Sequence, residues 1–325
     1  MRAAFLIPFL LLSAAPLAAA PQQPMTNILD TVRQIQEIDR TTQAEDVKMR
    51  KDVNDRMTVA VTLGGSGPFR FLVDTGADRT AISSDVAAQL GLVVGDNASL
   101  HSMTGMSSVR TATVPSLQLS RRDLTIVDAP ILDAARMGAD GILGTDSLHS
   151  QRVMFDFDKN MMTIVPSEQR LASDDATIVV TGRLKNGRLI VTNAKADRNS
   201  ITVVLDTGSE VCVGNEALRQ RLQNDGLLRN SGGVELESVT GDLLHGQYTF
   251  VKKLEMGDVT MTNLAVVFAD AHTFRQLGLD KHPALLLGMN ALRAFKKVSI
   301  DFANKKLRVM LPETGSIDAV RMAAR

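Results

Sequence analysis

The chain has 325 residues, room for two domains of ordinary size, and its 36 basic residues balance its 36 acidic ones. That balance argues against a nucleic-acid or anionic-membrane footprint, and one tyrosine with no tryptophan argues against a base-stacking platform. The only cysteine, Cys212, leaves no disulfide within the chain and reads, between Val211 and Val213, as a buried core residue.

Residues 1–20 form a secretory signal pattern: Arg2, an apolar run over 5–12, then small residues ending in Leu17-Ala18-Ala19-Ala20, with cleavage best placed after Ala19. The run is short for a membrane span, so the expectation is a periplasmic or secreted protein with no stable membrane insertion after cleavage. Residues 21–56 are polar and charged. Ile28, Leu29, Val32, Ile35 and Ile38 recur at helical spacing, which predicts a helical linker. A prosegment placing Lys48 or Lys51 in an acidic cleft is the alternative for this stretch.

From residue 57 the pattern is one of strands. Residues 58–63 alternate, a glycine-rich turn follows, and 69–73 run into Asp74-Thr75-Gly76-Ala77-Asp78. No Gly-Lys-Ser/Thr follows the glycines, so the turn is a hairpin and not a phosphate loop. A short helix over 84–90 stops at Gly91. Residues 101–114 predict a strand, a turn at Thr104-Gly105 and a returning strand. Ile142-Leu143-Gly144 and two strands, 153–157 and 161–165, complete a first lobe over 57–166.

The order then repeats over 167–312. A hairpin turns at Asn186-Gly187, and 201–205 run into Asp206-Thr207-Gly208-Ser209-Glu210. A helix over 215–222 stops near Gly226, and Ser238-Val239-Thr240-Gly241 answers Ser102-Met103-Thr104-Gly105. Leu286-Leu287-Gly288 answers Ile142-Leu143-Gly144, and 298–302 answer 153–157. The first two aspartates lie 132 residues apart and the closing ones, Asp156 and Asp301, 145 apart, which makes a duplication with a small insertion in the second lobe. Asp146 and Asn290 are expected to cap the helices after their motifs, and residues 313–325 read as a loose tail.

Each apolar strand ending in Asp-Thr-Gly presents one carboxylate. Two carboxylates brought about 3 Å apart cannot both ionise, so the pair holds one proton between them. The ionised member can then take a proton from water while the protonated one polarises a carbonyl. Thr75 and Thr207 would brace the loops through their hydroxyls, and Gly76 and Gly208 would let the chain turn without a Cβ clash. That is metal-free amide hydrolysis without a covalent intermediate.

With the hairpins and the apolar-apolar-Gly partners, this pattern resembles the aspartic peptidases, and Asp74-Thr75-Gly76-Ala77-Asp78 is most similar to their retroviral-type (retropepsin) branch and its exported bacterial relatives. The likeness covers about residues 57–312. It implies an all-β chain of two pseudo-symmetric lobes, with Asp74 and Asp206 as the catalytic dyad and Thr75 and Thr207 as an interlocking grip. It implies that the hairpins around Thr104, Gly105, Thr240 and Gly241 are flaps. By the same likeness Asp78 and Glu210 contact substrate backbone or anchor the lobes through an arginine. The partner implied is a polypeptide substrate, and the chain is expected to be a monomer whose lobes imitate a dimer, with no metal and no cofactor. Neither flap tip carries the tyrosine of pepsin-like enzymes; Tyr248 lies beyond Gly241. Ser209 supplies the second aspartate with a hydroxyl that Ala77 denies the first, which is expected to favour the neutral form of Asp74 and a mildly acidic to neutral pH optimum.

Five scattered histidines (His101, His149, His245, His272, His282) form no His-Glu-x-x-His, and no Gly-x-Ser-x-Gly occurs. The competing reading is an inactive protease-like module that binds peptides without cutting them.

Overall fold

The computed structural model describes residues 58–119, 122–168, 177–228, 232–312 and 323–324. The expected signal and linker, 1–20 and 21–56, lie outside the described residues. The first lobe begins with β1 (Thr58–Leu63) and β2 (Ser66–Val73), an antiparallel hairpin. Then follow β3 (Ala81–Ser83), α1 (Ser84–Gln89), β4 (Val94–His101), β5 (Met106–Leu119), β6 (Arg122–Leu132), α2 (Ala134–Met137), β7 (Gly141–Leu143), α3 (Thr145–Leu148), β8 (Gln151–Asp156) and β9 (Met161–Pro166). The second lobe is entered through β10 (Thr177–Thr181) and β11 (Arg183–Lys185). It continues with β12 (Arg188–Ala196), β13 (Asn199–Leu205), β14 (Cys212–Gly214), α4 (Glu216–Asn224), β15 (Gly232–Glu237), β16 (Leu243–Met256) and β17 (Val259–Phe268). Next come α5 (His272–Gln276), β18 (Ala284–Leu287), α6 (Met289–Leu292), β19 (Lys297–Asp301), β20 (Lys306–Met310) and β21 (Ala323–Ala324).

The fold is all-β, and its two lobes repeat one topology. In the first, β7 inserts between β2 and β3, parallel to β2 and antiparallel to β3. In the second, β18 inserts between β13 and β14 with the same polarity. A β1–β5 pairing curls one sheet closed, and a β12–β16 pairing does so in the other. A third sheet, ordered β10-β20-β19-β8-β9, joins the lobes, with β8 antiparallel to β19. Phe71, Phe155, Phe295 and Phe302, all essentially inaccessible, belong to one apolar core that runs through both lobes. Burying side chains of this size is worth about 1.5–3 kcal/mol each.

Local chemistry explains the shared elements. Ser83 caps α1 by accepting from the Val86 N–H at 3.1 Å, and Asn215 caps α4 by accepting from the Leu218 N–H at 2.9 Å. Both helices end at glycines of positive φ, Gly91 at 59° and Gly226 at 66°. The turn before β12 places Asn186 and Gly187 at φ 48° and 75°, the left-handed pair that a two-residue hairpin needs.

Three details differ from expectation. The first projecting hairpin does not begin at His101: β4 ends there, having started at Val94, and β5 runs on to Leu119. The polar, mostly exposed residues of β4 carry little apolar alternation to mark them. Asp146 and Asn290 do not cap their helices; Gly144 and Gly288 occupy those positions without side-chain bonds. Lying two residues further in, they reach sideways instead. Asp146 accepts from the Thr80 N–H at 3.0 Å and hydroxyl at 2.7 Å, and Asn290 accepts from the Cys212 N–H at 2.9 Å. Within the expected tail, residues 323–324 pair with β17.

Candidate active site

The two Asp-Thr-Gly loops leave β2 and β13 side by side. Val73 precedes one and Leu205 the other, and each strand end is anchored to its inserted neighbour. The Asp74 N–H donates to the Leu143 carbonyl at 3.0 Å and the Asp206 N–H to the Leu287 carbonyl at 3.1 Å. The glycines of the apolar-apolar-Gly motifs permit this crossing. A Cβ on Gly144 would lie 2.5 Å from the Arg79 carbonyl carbon, and one on Gly288 would lie 2.5 Å from that of Val211.

Thr75 and Thr207, both buried, interlock the loops across the lobes. The Thr75 hydroxyl accepts from the Thr207 N–H at 3.1 Å and donates to the Leu205 carbonyl at 2.9 Å. The Thr207 hydroxyl accepts from the Thr75 N–H at 3.1 Å and donates to the Val73 carbonyl at 2.6 Å. The carboxylates are cradled alike. Asp74 Oδ1 accepts from the N–H groups of Gly76 and Ala77 at 2.7 and 3.0 Å, and Asp206 Oδ1 from those of Gly208 and Ser209 at 3.1 and 3.2 Å.

Each carboxylate also lies over the opposite glycine. A Cβ on Gly76 would sit 2.5 Å from Asp206 Oδ1, and one on Gly208 would collide with the Asp74 carboxylate. The two acids therefore converge on one point. Asp206 is 8% exposed. Its carboxyl is pushed up to about 7 by burial and by the charge of Asp74, against Arg188 and the two loop N–H groups. The pair thus favours holding one proton between its two carboxyls. Ser209 does not act as expected: its hydroxyl donates to the Val211 carbonyl at 2.7 Å, so only its N–H supports Asp206.

A profile of the aspartyl protease family matches residues 59–147 and 191–291, one match per lobe. The chain belongs to the aspartyl protease family. No curated protein matches it. The tandem, retropepsin-like arrangement expected from the two motifs is what the two matches describe, and the family's substrates are polypeptides.

Other residues of this protease fold surround the pair. Arg188, nearly buried at the start of β12, crosses between lobes: its Nε donates to the Gly76 carbonyl at 2.6 Å and its Nη1 pairs with Asp78 at 3.1 Å. Burial raises the Asp78 carboxyl above its ordinary value, opposed by Arg188 and His101. Glu210 holds the equivalent place in the second loop, and its carbonyl accepts from the Asn290 N–H at 2.9 Å. Arg188 was not legible as a site residue, since an arginine after a tight turn reads as exposed.

The tips of the two hairpins meet. Ser102 and Thr104 share a 2.8 Å hydroxyl bond, Ser238 and Thr240 one of 2.7 Å, and Thr104 donates to the Ser238 hydroxyl at 3.3 Å. Gly105 and Gly241 lie at the turns, Gly241 with φ 83°. Tyr248 sits down the second hairpin, opposite Gly232. Cys212 stands where Thr80 stands in the first lobe: the Gly144 N–H donates to Thr80 Oγ1 at 3.1 Å, and the Gly288 N–H to Cys212 Sγ at 3.3 Å. Burial pushes its thiol up to about 12, which makes it a packing group. Among the described residues no group of three or more His, Cys, Asp or Glu is arranged to hold a metal, and no helix is long and apolar enough to cross a membrane.

Proposed function

We propose that the chain is an aspartic endopeptidase that hydrolyses peptide bonds with a water activated between Asp74 and Asp206. The convergence of the two carboxylates, each over the glycine of the other's loop, carries this reading. Asp74 takes a proton from the water, whose oxygen attacks the scissile carbonyl carbon. Asp206 gives its proton to the carbonyl oxygen, and a gem-diol forms. Collapse of the diol returns one proton to the dyad and delivers another to the departing amine, so both carboxyls are restored. The hairpins with Thr104, Gly105, Thr240 and Gly241 fold over the peptide, and Asp78 and Glu210 face its backbone. The signal pattern of residues 1–20 supports export to the periplasm or beyond, and the paired lobes support a working monomer.

The test is cleavage of an unfolded protein or peptide library across about pH 3–8 by the mature chain, beside Asp74→Asn and Asp206→Asn. Cutting by wild type, with both variants folded and inert, is the expected outcome. One variant retaining full activity would sink the shared cleft. A wild type that binds peptides but never cuts them would put the non-cutting module in its place.

A further inference from the structure

Each projecting hairpin is tied to the short helix of the opposite lobe, and the two ties differ in chemistry. At the second hairpin the Arg136 guanidinium of α2 donates to the Thr240 carbonyl and lies against Gly241, where a Cβ would be 2.5 Å from Arg136 Cζ. Arginine keeps its charge throughout the working pH range, so this tie does not titrate.

At the first hairpin the His272 N–H of α5 donates to the Met103 carbonyl at 2.7 Å. The imidazole of His272 also stacks on His101, the last residue of β4, with centroids 5.2 Å apart and planes 8° from parallel. His101 Nδ1 and His272 Nε2 are 2.9 Å apart, and Gln276 Nε2 lies 2.5 Å from the same Nδ1. Two ring nitrogens at this distance bond only if one lacks a proton. When both rings are cationic, N–H faces N–H and two stacked charges repel.

Other charges surround the pair. On the α5 side, Arg275 opposes a second proton and Asp270, which Arg275 pairs at 2.5 Å, favours one. From the Asp-Thr-Gly loop, Asp78 interacts with His101 but is also paired to Arg188. Partial burial, then His101 and Arg275, hold His272 below the ordinary histidine value against Asp270.

We propose that His101 and His272 form a pH-sensitive latch on the first hairpin. With the pair neutral or singly protonated, the hairpin is held down across the cleft. Once both rings are protonated, it lifts, while the arginine-tied hairpin stays in place. Acidification would thereby admit substrate from one side of the cleft. That last step rests on the peptidase reading; the latch itself does not.

Hydrogen–deuterium exchange tests the latch without any turnover. The full chain carrying Asp74→Asn, which removes self-cleavage, is compared at about pH 7.5 and about pH 5, with intrinsic rates corrected. The expected result is a several-fold loss of protection in residues 94–106 at the lower pH, with no loss in residues 232–243, where His245 pairs with Glu235 at 3.1 Å. His272→Phe keeps a stacked ring but no titrating group, and its first hairpin should respond equally little at both pH values. If that variant fails to fold, His101→Phe makes the same comparison from the other ring. Equal protection at both pH values in the parent, loosening of both hairpins together, or an undiminished response in the phenylalanine variant would each overturn the latch. A wild type that never cuts peptides would remove the peptidase reading and leave the exchange result standing.

Discussion

Thr75 and Thr207 hold one another's loops: each hydroxyl accepts the other's N–H, and each donates to a carbonyl in the opposite lobe. Thr75→Ala therefore orphans the buried Thr207 N–H and the Leu205 carbonyl together. An orphaned buried group costs about 1–3 kcal/mol, so chemical denaturation should show a loss of that order or more. Thr75→Ser keeps the hydroxyl and should recover most of it. The Thr75→Ala/Thr207→Ala double variant should depart from additivity, because the residues belong to one network. Strict additivity would mean that the grip is not a unit.

Gly76 and Gly208 are constrained by the carboxylate opposite and not by backbone conformation, since a Cβ at either would collide with it. Gly208→Ala should displace the Asp74 carboxylate by a fraction of an ångström to an ångström. A misplacement of that size costs about 10²-fold in rate. The readout is kcat on a cleavable peptide, with near-native circular dichroism as the control. Gly208→Ala with wild-type kcat would show that the carboxylates do not depend on this spacing.

The dyad should lose activity as pH rises through about 7, where Asp206 gives up its proton. The same shift affects stability. The folded-state value of Asp206 is raised above the ordinary 3.8, so the buried acid begins to burden the fold as pH rises past that value and does so fully above about 7. Asp206→Asn should therefore be more stable than wild type at pH 8, with the advantage fading towards pH 4. Thermal melts across that range check the sign, and a constant difference would contradict it.

The features that sequence made legible were those carried by local chemistry. Apolar strands running into Asp74 and Asp206, the Asn186-Gly187 turn and the glycine stops at Gly91 and Gly226 all act within a few residues. What stayed hidden acts across the fold. Arg188 meets Gly76 over 112 positions, and His101 meets His272 over 171. Neither pair leaves a spacing signal. Asp146 looked like a cap because it stands near a helix start, yet Thr80, 66 positions away, claims its carboxylate. Ser209 misled for a related reason: its hydroxyl found a carbonyl two residues on before it could reach the acid.

Arg188 links three things at once: the Gly76 carbonyl, the Asp78 carboxylate and the electrostatics of Asp206. Arg188→Gln should cost about 1.5–3 kcal/mol, the usual worth of a hydrogen bond from a charged donor. The half-exposed Asp78 adds little beyond that. Because Arg188 lowers the Asp206 carboxyl, its loss should also move the alkaline limb of the pH–rate profile upward. Destabilisation without that movement would confine Arg188 to lobe docking.

Arg152 and Asp301 form a further cross-lobe tie, facing one another where β8 meets β19. Arg152 Nη2 lies 2.7 Å from Asp301 Oδ2, both side chains are almost fully buried, and Nη2 also donates to the Ser167 carbonyl at 2.9 Å. Asp301→Asn would strand the guanidinium, at about 3–5 kcal/mol, whereas Arg152→Leu/Asp301→Leu should recover much of the loss. Burial pushes the Asp301 carboxyl up, but bonds from Asn304 and Arg152 outweigh it and leave it below its ordinary value. Its stabilising contribution is thus present above about 3.8 and lost as pH falls through the lowered folded value, opposite in sign to that of Asp206. As pH falls from 8, protonation of Asp206 should first stabilise the chain, and protonation of Asp301 should later weaken it. The melting temperature should therefore peak in mild acid, in the window where the dyad holds its single proton. In Asp206→Asn the rise on the alkaline side should vanish while the acid-side fall remains.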